Sequence, residues 1–174
     1  PLTKLINICI TTSTFPECLK TAIIVPIHKN GDIHEPSNYR PIALLPVFSK
    51  ILEKIIFNQL SQFLESNHLL SSKQYGFRKG LSTTDAALSL VETMGLCLEK
   101  GELGIASFLD LSKAFDCVPH ETLLQKLYMY NLEPTSCKLI SSFLGNRYQV
   151  VKTNSGVSSS RPITRGVPQG SVLG

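Results

Sequence analysis

A long helical periodicity in the first half of the chain constrains the fold more than any other feature. Between residues 48 and 64 the apolar positions recur at intervals of three and four: Phe48, Ile51, Leu52, Ile55, Ile56, Leu60, Phe63 and Leu64. This spacing puts them on one side of an α-helix and makes this the most clearly predicted helix in the chain. We predict that the charged residues among them face solvent: Lys50, Glu53, Lys54 and Glu65.

Short runs of apolar and β-branched residues predict strands. Residues 22–27 form one such run, and a polar loop over residues 29–38 leads to a second strand at 40–45, so the two predict a hairpin. A third strand is predicted at residues 148–152, followed by a turn at Asn154-Ser155-Gly156.

Four further helices are predicted from periodicity and from start and stop residues. They are a short first helix over residues 2–10, a helix that begins at Ser82 and stops at Gly101, and helices over 120–130 and 134–144. Asp85, three residues after Ser82, predicts a capping box. The core face of that helix is predicted to be Ala86, Leu90, Met94 and Leu98. Interleaved helices and strands favour the α+β class with an antiparallel sheet.

Composition indicates a globular protein. The chain has 174 residues, of which 43% are apolar and 17% charged, so it can bury a core and lacks the composition of a disordered segment. No apolar run reaches the roughly 18 residues that span a bilayer, and we expect no membrane contact. The five cysteines are widely separated and form no Cys-x-x-Cys pair, which favours reduced thiols in an intracellular protein over a zinc site.

Charge is unevenly distributed along the chain. Residues 1–80 hold nine Lys and Arg against five acids, residues 81–146 hold four against eight, and residues 147–174 hold four against none. Basic ends therefore flank an acidic middle. Basic regions of this kind attract the phosphates of nucleic acids, although uneven surface charge alone is also common.

The acidic middle contains the residue with the clearest chemical role. The apolar run at residues 105–109 predicts a short buried strand, and Asp110 follows directly at its end. A carboxylate there can bind a hard divalent cation such as Mg²⁺, which keeps positions open for water and phosphates. The alternative is that Asp110 belongs to a turn and helix cap.

Four more segments accompany Asp110 in a fixed order. They are residues 27–32 (Ile-His-Lys-Asn-Gly-Asp), 38–45 (Asn-Tyr-Arg-Pro-Ile-Ala-Leu-Leu), 74–83 (Gln-Tyr-Gly-Phe-Arg-Lys-Gly-Leu-Ser-Thr) and 166–174 (Gly-Val-Pro-Gln-Gly-Ser-Val-Leu-Gly). With the segment at 108–116, this combination resembles the reverse transcriptase of non-LTR, LINE-type retrotransposons over nearly the whole chain. The resemblance implies a right-hand polymerase fold, with a fingers-like region at 1–101 and a partial palm at 102–174.

The resemblance also implies roles in nucleotide addition. Asp110 matches the first catalytic Asp of the family and would bridge two Mg²⁺ ions, one of which the carbonyl of Leu111 would share. Lys29 and Arg40 match positions that hold the incoming triphosphate, for which the planar guanidinium of Arg is suited. Without the resemblance, both are surface cations of a hairpin.

Phe115 matches the residue that selects the sugar. Its ring would clash with a ribose 2′-hydroxyl and favour deoxynucleotides, which disfavours an RNA-dependent RNA polymerase; the alternative is a core aromatic residue. Gln169 would contact the sugar and base of the nucleotide. The template-side surface implied by the resemblance consists of Gln74, Gly76, Phe77, Arg78, Arg165, Gly166 and Gly170. Asp116 resembles a frequent family residue that binds no metal.

The implied partners are an RNA template, a DNA primer and deoxynucleoside triphosphates, and the implied site of action is the nucleus. The family's next motif, an aromatic-Ala-Asp-Asp hairpin, is expected beyond Gly174, and this sequence contains no Asp-Asp pair. We therefore expect the chain to be a fragment that is inactive by itself. A catalytically dead nucleic-acid-binding remnant is the alternative function.

Overall fold

A computed structural model describes residues 1–111 and 113–174; Ser112, within the segment around Asp110, lies outside the described residues. The helices are α1 (Leu2–Thr11), α2 (Val47–Ser66), α3 (Thr83–Glu99), α4 (His120–Met129) and α5 (Pro134–Leu144). The strands are β1 (Thr21–His28), β2 (Tyr39–Leu44), β3 (Arg147–Thr153), β4 (Gly156–Val157) and β5 (Arg161–Ile163). All five predicted helices and three of the four predicted strands are therefore confirmed, with ends shifted by one or a few residues.

The chain divides into two compact units. The first consists of Pro1–Leu60 with Ser112–Gly174, and the second of Ser61–Leu111. These units are defined by packing. The fingers-like region at 1–101 and the partial palm at 102–174 are inferred from the family resemblance, and they stay a prediction.

The first unit is built on a five-stranded sheet with the order β2-β1-β3-β4, in which β5 also pairs with β3. The predicted hairpin of β1 and β2 is antiparallel, as are the β3–β4 and β3–β5 pairs. The prediction of an antiparallel sheet is nevertheless wrong at its centre, because β1 and β3 pair in parallel. A long connection that contains helices lets β3 return in the direction of β1, which a tight turn could not do.

Alternation along the strands places apolar side chains on one face of the sheet. Ala22, Ile24, Ala43 and Leu45 form a buried cluster there. A second buried contact joins an early and a late segment of the unit. The ring of Phe15 packs edge-on against that of Phe143, with 5.1 Å between the ring centroids. Burial of such rings contributes strongly to stability, since each removes a large apolar area from water.

The prediction that Glu53 faces solvent is wrong. Glu53 is fully buried, and the buried residues of α2 are Ser49, Leu52, Glu53 and Ile56. These positions have the spacing of a single helical face, so the buried side of α2 includes two polar residues.

In the second unit, α3 begins as predicted. Ser82 is its N-cap, and its side chain and that of Asp85 form the reciprocal bonds of a capping box. The predicted core face is not buried: Met94 is 44% exposed and Leu98 is 76% exposed. Periodicity identifies an apolar face but does not supply the surface that covers it.

The predicted strand at residues 105–109 is absent from the structure. Residues 102–111 have no regular secondary structure, and the side chains of Ile105 and Leu109 are 97% and 91% exposed. A strand requires a partner for its backbone hydrogen bonds, and none of the described strands pairs with this segment. Asp110 therefore lies in an extended, exposed segment rather than at the end of a buried strand.

No helix among residues 1–111 and 113–174 combines the length and the apolar character that crossing a membrane requires.

Candidate functional site

The candidate site is built around a turn at residues 165–172, which contains the Pro-Gln-Gly sequence. Its first half is bonded to the segment that follows Asp110. The backbone N–H of Gly166 donates to the carbonyl of Val118, and that of Val167 donates to the carbonyl of Phe115, each at 2.9 Å. Nε2 of His120 lies 2.7 Å from the carbonyl oxygen of Gly166 and donates to it. These hydrogen bonds together fix the start of the turn.

Gly166 is required at this position for two reasons. Its φ of +76° lies in the left-handed region, and a Cβ there would lie 2.7 Å from backbone atoms of Phe115 and Asp116. A side chain would therefore be strained in conformation and would collide with backbone. The close approach brings the turn directly onto residues 115–116.

The second half of the turn is bonded to β2. The N–H of Ala43 donates to the carbonyl of Gln169 at 2.8 Å, and the N–H of Ser171 donates to the carbonyl of Pro168 at 3.0 Å. Gly170 has a φ of +102°, and a Cβ on it would lie 3.0 Å from the carbonyl oxygen of Ala43. The backbone of Gln169 is thereby held against the sheet.

These segments border a cavity of about 410 Å³ in the first unit. Its polar lining is Asp116, Gln149, Thr164, Arg165 and Gln169, and its apolar floor includes Ala22, Ile24 and Pro41. Nε2 of Gln169 lies 3.4 Å from Oδ1 of Asp116, a long hydrogen bond that leaves the amide free to turn toward another partner. The cavity volume falls within the range of small-molecule sites.

Arg40 and Lys29 lie on the β1–β2 hairpin. Arg40 is exposed and pairs in register with Ile27, while the neighbouring Pro41 lines the cavity. Because adjacent side chains of a strand face opposite sides of the sheet, Arg40 projects from the face opposite the cavity. The structure therefore brings Phe115, Arg165 and Gln169 together, and places Arg40 beside them along the strand without turning it toward them.

Asp110 and Leu111 belong to the second unit, and both are exposed. Their oxygens are a carboxylate and a backbone carbonyl, which are the hard ligands that Mg²⁺ accepts. The described residues contain no group of three or more His, Cys, Asp or Glu side chains arranged to hold a metal ion. The donor type therefore fits a magnesium site, but the described part of the chain supplies only a fraction of one.

The predicted template-side residues at positions 74–78 also belong to the second unit. Arg78 forms a two-point ion pair with Glu65, with Nε and Nη2 at 2.9 and 2.6 Å from the two carboxylate oxygens, and Nη1 donates to the carbonyl of Ser71. The hydrogen bonds from Arg78 lower the pKa of Glu65, and the same pairing raises the pKa of Arg78. Gln74, Gly76 and Phe77 are exposed.

Three features of this site are not evident from the sequence. His120 contacts Gly166 across 46 residues, and no local pattern indicates that contact. Asp116 faces the cavity, although the resemblance implies no chemical role for it. Glu53 accepts a hydrogen bond from the N–H of Val172 at 2.7 Å. For Glu53 the sequence carries a partial signal, because Glu53 lies three residues before the apolar Ile56 and so shares part of its helical face.

The family model for reverse transcriptase (RNA-dependent DNA polymerase) matches residues 27–174 of the chain. The chain belongs to the reverse transcriptase family. The match includes the β1–β2 hairpin from Ile27 onward, the segment around Asp110 and the whole of the 165–172 turn.

Relatives of this family come from retrotransposons. The chain is 35% identical, over 99% of its length, to a probable RNA-directed DNA polymerase from transposon BS and to the RNA-directed DNA polymerase from mobile element jockey, both of Drosophila melanogaster. It has the same identity and coverage to a putative 115 kDa protein in the type-1 retrotransposable element R1DM of that species. The chain covers 19% of the first two relatives and 16% of the third, or less than a fifth of each.

Proposed function

We propose that this chain is the fingers and part of the palm of a retrotransposon RNA-directed DNA polymerase, which adds deoxynucleotides to a DNA primer on an RNA template. Family membership supports the reaction type. The observation that carries the proposal is the 165–172 turn, which holds Gln169 against β2 and at a cavity that Asp116 also lines. Action in the nucleus, where such copying would occur, is part of the same proposal.

Within this proposal the cavity is where the nucleoside part of the incoming nucleotide binds. The amide of Gln169 can exchange its long bond to Asp116 for one to the sugar or base. The carbonyl of Phe115 accepts from Val167, which holds the backbone of Phe115 at the edge of the turn. Its ring would exclude a 2′-hydroxyl by steric overlap, so deoxynucleotides would be selected.

The triphosphate is assigned to the cations of the hairpin. Arg40 and Lys29 are both exposed, and the backbone N–H of Lys29 donates to the carbonyl of Asn38 across the hairpin end at 2.8 Å. Arg40 projects from the face of the sheet opposite the cavity, so its assignment to the triphosphate rests on its match to the family position and not on the cavity. A guanidinium offers two parallel donors to phosphate oxygens.

Asp110 and the carbonyl of Leu111 would contribute ligands to magnesium. The bound ions would supply Lewis-acid stabilisation and nucleophile activation for phosphoryl transfer. The described residues hold too few ligands for a complete site, so the chain's own contribution is to present one exposed carboxylate beside one carbonyl.

The template is assigned to residues 74–78 and to Arg165. Most contacts of polymerases and other nucleic-acid proteins with phosphates fix position rather than sequence, and Arg165 is exposed and suited to this. Arg78 would have to exchange its pairing with Glu65 for a phosphate, or would act by holding the surrounding loop.

The test is primer extension on an RNA template with the product of the complete open reading frame that contains this chain. Asp110→Ala should abolish primer extension, because the proposed magnesium site loses its carboxylate ligand. Glu92→Gln, which removes an exposed carboxylate elsewhere in the second unit, should leave extension unchanged. The Phe115→Ala variant should incorporate ribonucleotides about tenfold more efficiently than the native protein, because the substitution removes the steric barrier to the 2′-hydroxyl.

Full activity of Asp110→Ala would refute the catalytic role. Absence of extension by the native protein, together with RNA binding that weakens steeply with salt and ignores Mg²⁺ and nucleotide, would instead identify a nucleic-acid-binding remnant. The excess of basic over acidic residues at positions 1–80 and 147–174 is the observation that favours this second function.

A further inference from the structure

A buried carboxylate contacts the backbone of the candidate site. Glu53 has no solvent-exposed surface. Its Oε1 accepts from the hydroxyl of Ser49 at 2.6 Å, one turn earlier on α2. Its Oε2 accepts from the backbone N–H of Val172 at 2.7 Å, which belongs to the last residue of the 165–172 turn. Both distances lie within the range of well-formed hydrogen bonds.

Burial of a carboxyl group is costly unless hydrogen bonds compensate for the lost water. Compensation comes from the two hydrogen bonds. Arg147, which is 1% exposed, is a second buried charge of this unit, and among the described residues it forms no ion pair with Glu53. Burial lowers the pKa of Arg147, and the negative charge of Glu53 opposes that effect. Arg147 also lies over the ring of Phe143 at 4.7 Å and donates from Nη1 to the carbonyl of that residue. The two opposite charges are thus both buried in the first unit.

The bond to Val172 completes the restraint on Gln169. On one side, the carbonyl of Gln169 accepts from Ala43 on β2. On the other side, three residues later, Val172 is bonded to Glu53 on α2. Between them the N–H of Ser171 closes the turn onto Pro168. The backbone of Gln169 is therefore held between a strand and a helix, and its side-chain amide keeps one long bond.

We propose that Glu53 is a positioning residue, which fixes the 165–172 turn through Val172 and so sets the place of the Gln169 amide at the nucleotide cavity. This rests on the proposed function, because it assigns Gln169 to the incoming nucleotide. Glu53 is not one of the residues that line the cavity.

The first measurement tests the restraint in the chain itself. Amide hydrogen exchange of Val172 should be about tenfold faster in Glu53→Met, which removes the acceptor but keeps an apolar shape, since the loss of one hydrogen bond has that effect. Glu53→Gln keeps a neutral acceptor and should give an intermediate rate. The amide of Lys29, bonded at the far end of the hairpin, should keep its native rate in both variants.

The second measurement uses primer extension by the complete protein. Glu53→Met should raise KM for the deoxynucleotide about tenfold, with dissociation of the primer–template unchanged, as expected when a positioning contact is lost. Gln169→Ala should raise KM by itself. Adding Glu53→Met to Gln169→Ala should raise KM by less than about twofold more, because both act through the same amide.

These outcomes separate the two proposals. Two results would overturn the positioning role while leaving the polymerase proposal intact. One is that Glu53→Met raises KM by the same factor whether residue 169 is Gln or Ala. The other is that the Val172 amide exchanges at the native rate in Glu53→Met. If Glu53→Met does not fold, the same two readouts on Glu53→Gln decide the question, since a rate and a KM identical to those of the native protein would overturn it. If the native protein does not extend primers, the proposed function fails, and amide exchange alone decides whether Glu53 holds the turn.

Discussion

Replacing Gly166 by alanine tests the close approach between the 165–172 turn and the segment at residues 115–116. A non-glycine residue in the left-handed region costs about 1–2 kcal/mol. The added methyl would also lie 2.7 Å from backbone atoms of Phe115 and Asp116, and relief of such overpacking typically costs about 1–3 kcal/mol. We therefore expect a loss of about 3 kcal/mol from the free energy of unfolding, out of the roughly 5–15 kcal/mol of a typical domain.

The assay is thermal and urea unfolding of the chain followed by circular dichroism. A loss of this size should lower Tm by about 6–12 °C in a protein of this length. Gly80→Ala is the matched control, because Gly80 has a φ of +80° and no neighbouring atom within 4 Å of the place that an added methyl would take. It should show the conformational cost alone. Gly156→Ala, also in open space, extends the control to the first unit.

The difference between Gly166→Ala and Gly80→Ala isolates the contact with residues 115–116. If the two substitutions cost the same within about 0.5 kcal/mol, the usual error of additivity, the turn does not press on this segment and the geometry given above for the site is wrong.

Three further predictions concern stability and reactivity. The pKa of Asp85 is lowered by its bonds in the capping box of α3, so the stabilisation is present above the unfolded pKa and is lost as pH falls through the lower folded value. Exchange of the first-turn amides of α3 should accelerate over that acid range in the native chain and show no such step in Asp85→Asn. Phe143→Ala should cost about 3–5 kcal/mol in urea unfolding, whereas Phe48→Ala, at a position 60% exposed, should cost less than about 1 kcal/mol. Burial raises the pKa of Cys137, so mass spectrometry after iodoacetamide should find the exposed Cys18 alkylated first and Cys137 only in denaturant.

Local patterns in the sequence identified most of the secondary structure. The capping box at Ser82 and Asp85 and the proline at the start of α5 act through neighbouring backbone, so a short window contains all the information they need. The parallel pairing of β1 with β3 was not predictable in this way, because it joins Thr21 to Tyr148 and depends on everything between them.

Burial was the least predictable property. The run at residues 105–109 is as apolar as a core strand, yet in the structure it has no pairing partner among the described strands and is exposed. Glu53 is charged, yet it is buried because hydrogen-bond donors from Ser49 and Val172 converge on it. In both cases the outcome depends on distant groups rather than on the hydrophobicity of the residue. For the site, the motifs predicted roles for Gln169 and Phe115, which stay predictions, whereas the cavity beside Gln169 and the position of Arg40 on the opposite face of the sheet depend on how distant segments pack.

Contacts between early and late residues, such as the parallel β1–β3 pairing, also have a consequence for biosynthesis. The N–H of Phe15, just ahead of β1, donates to the hydroxyl of Ser142, which is 127 residues later in the chain. At the usual elongation rate of about 5–20 residues per second, the ribosome needs about 6–25 s to make that interval. During this time the β1–β2 hairpin has an open edge and uncovered apolar side chains, a state that invites misassociation. The nascent chain should therefore depend on chaperone binding until β3 has emerged.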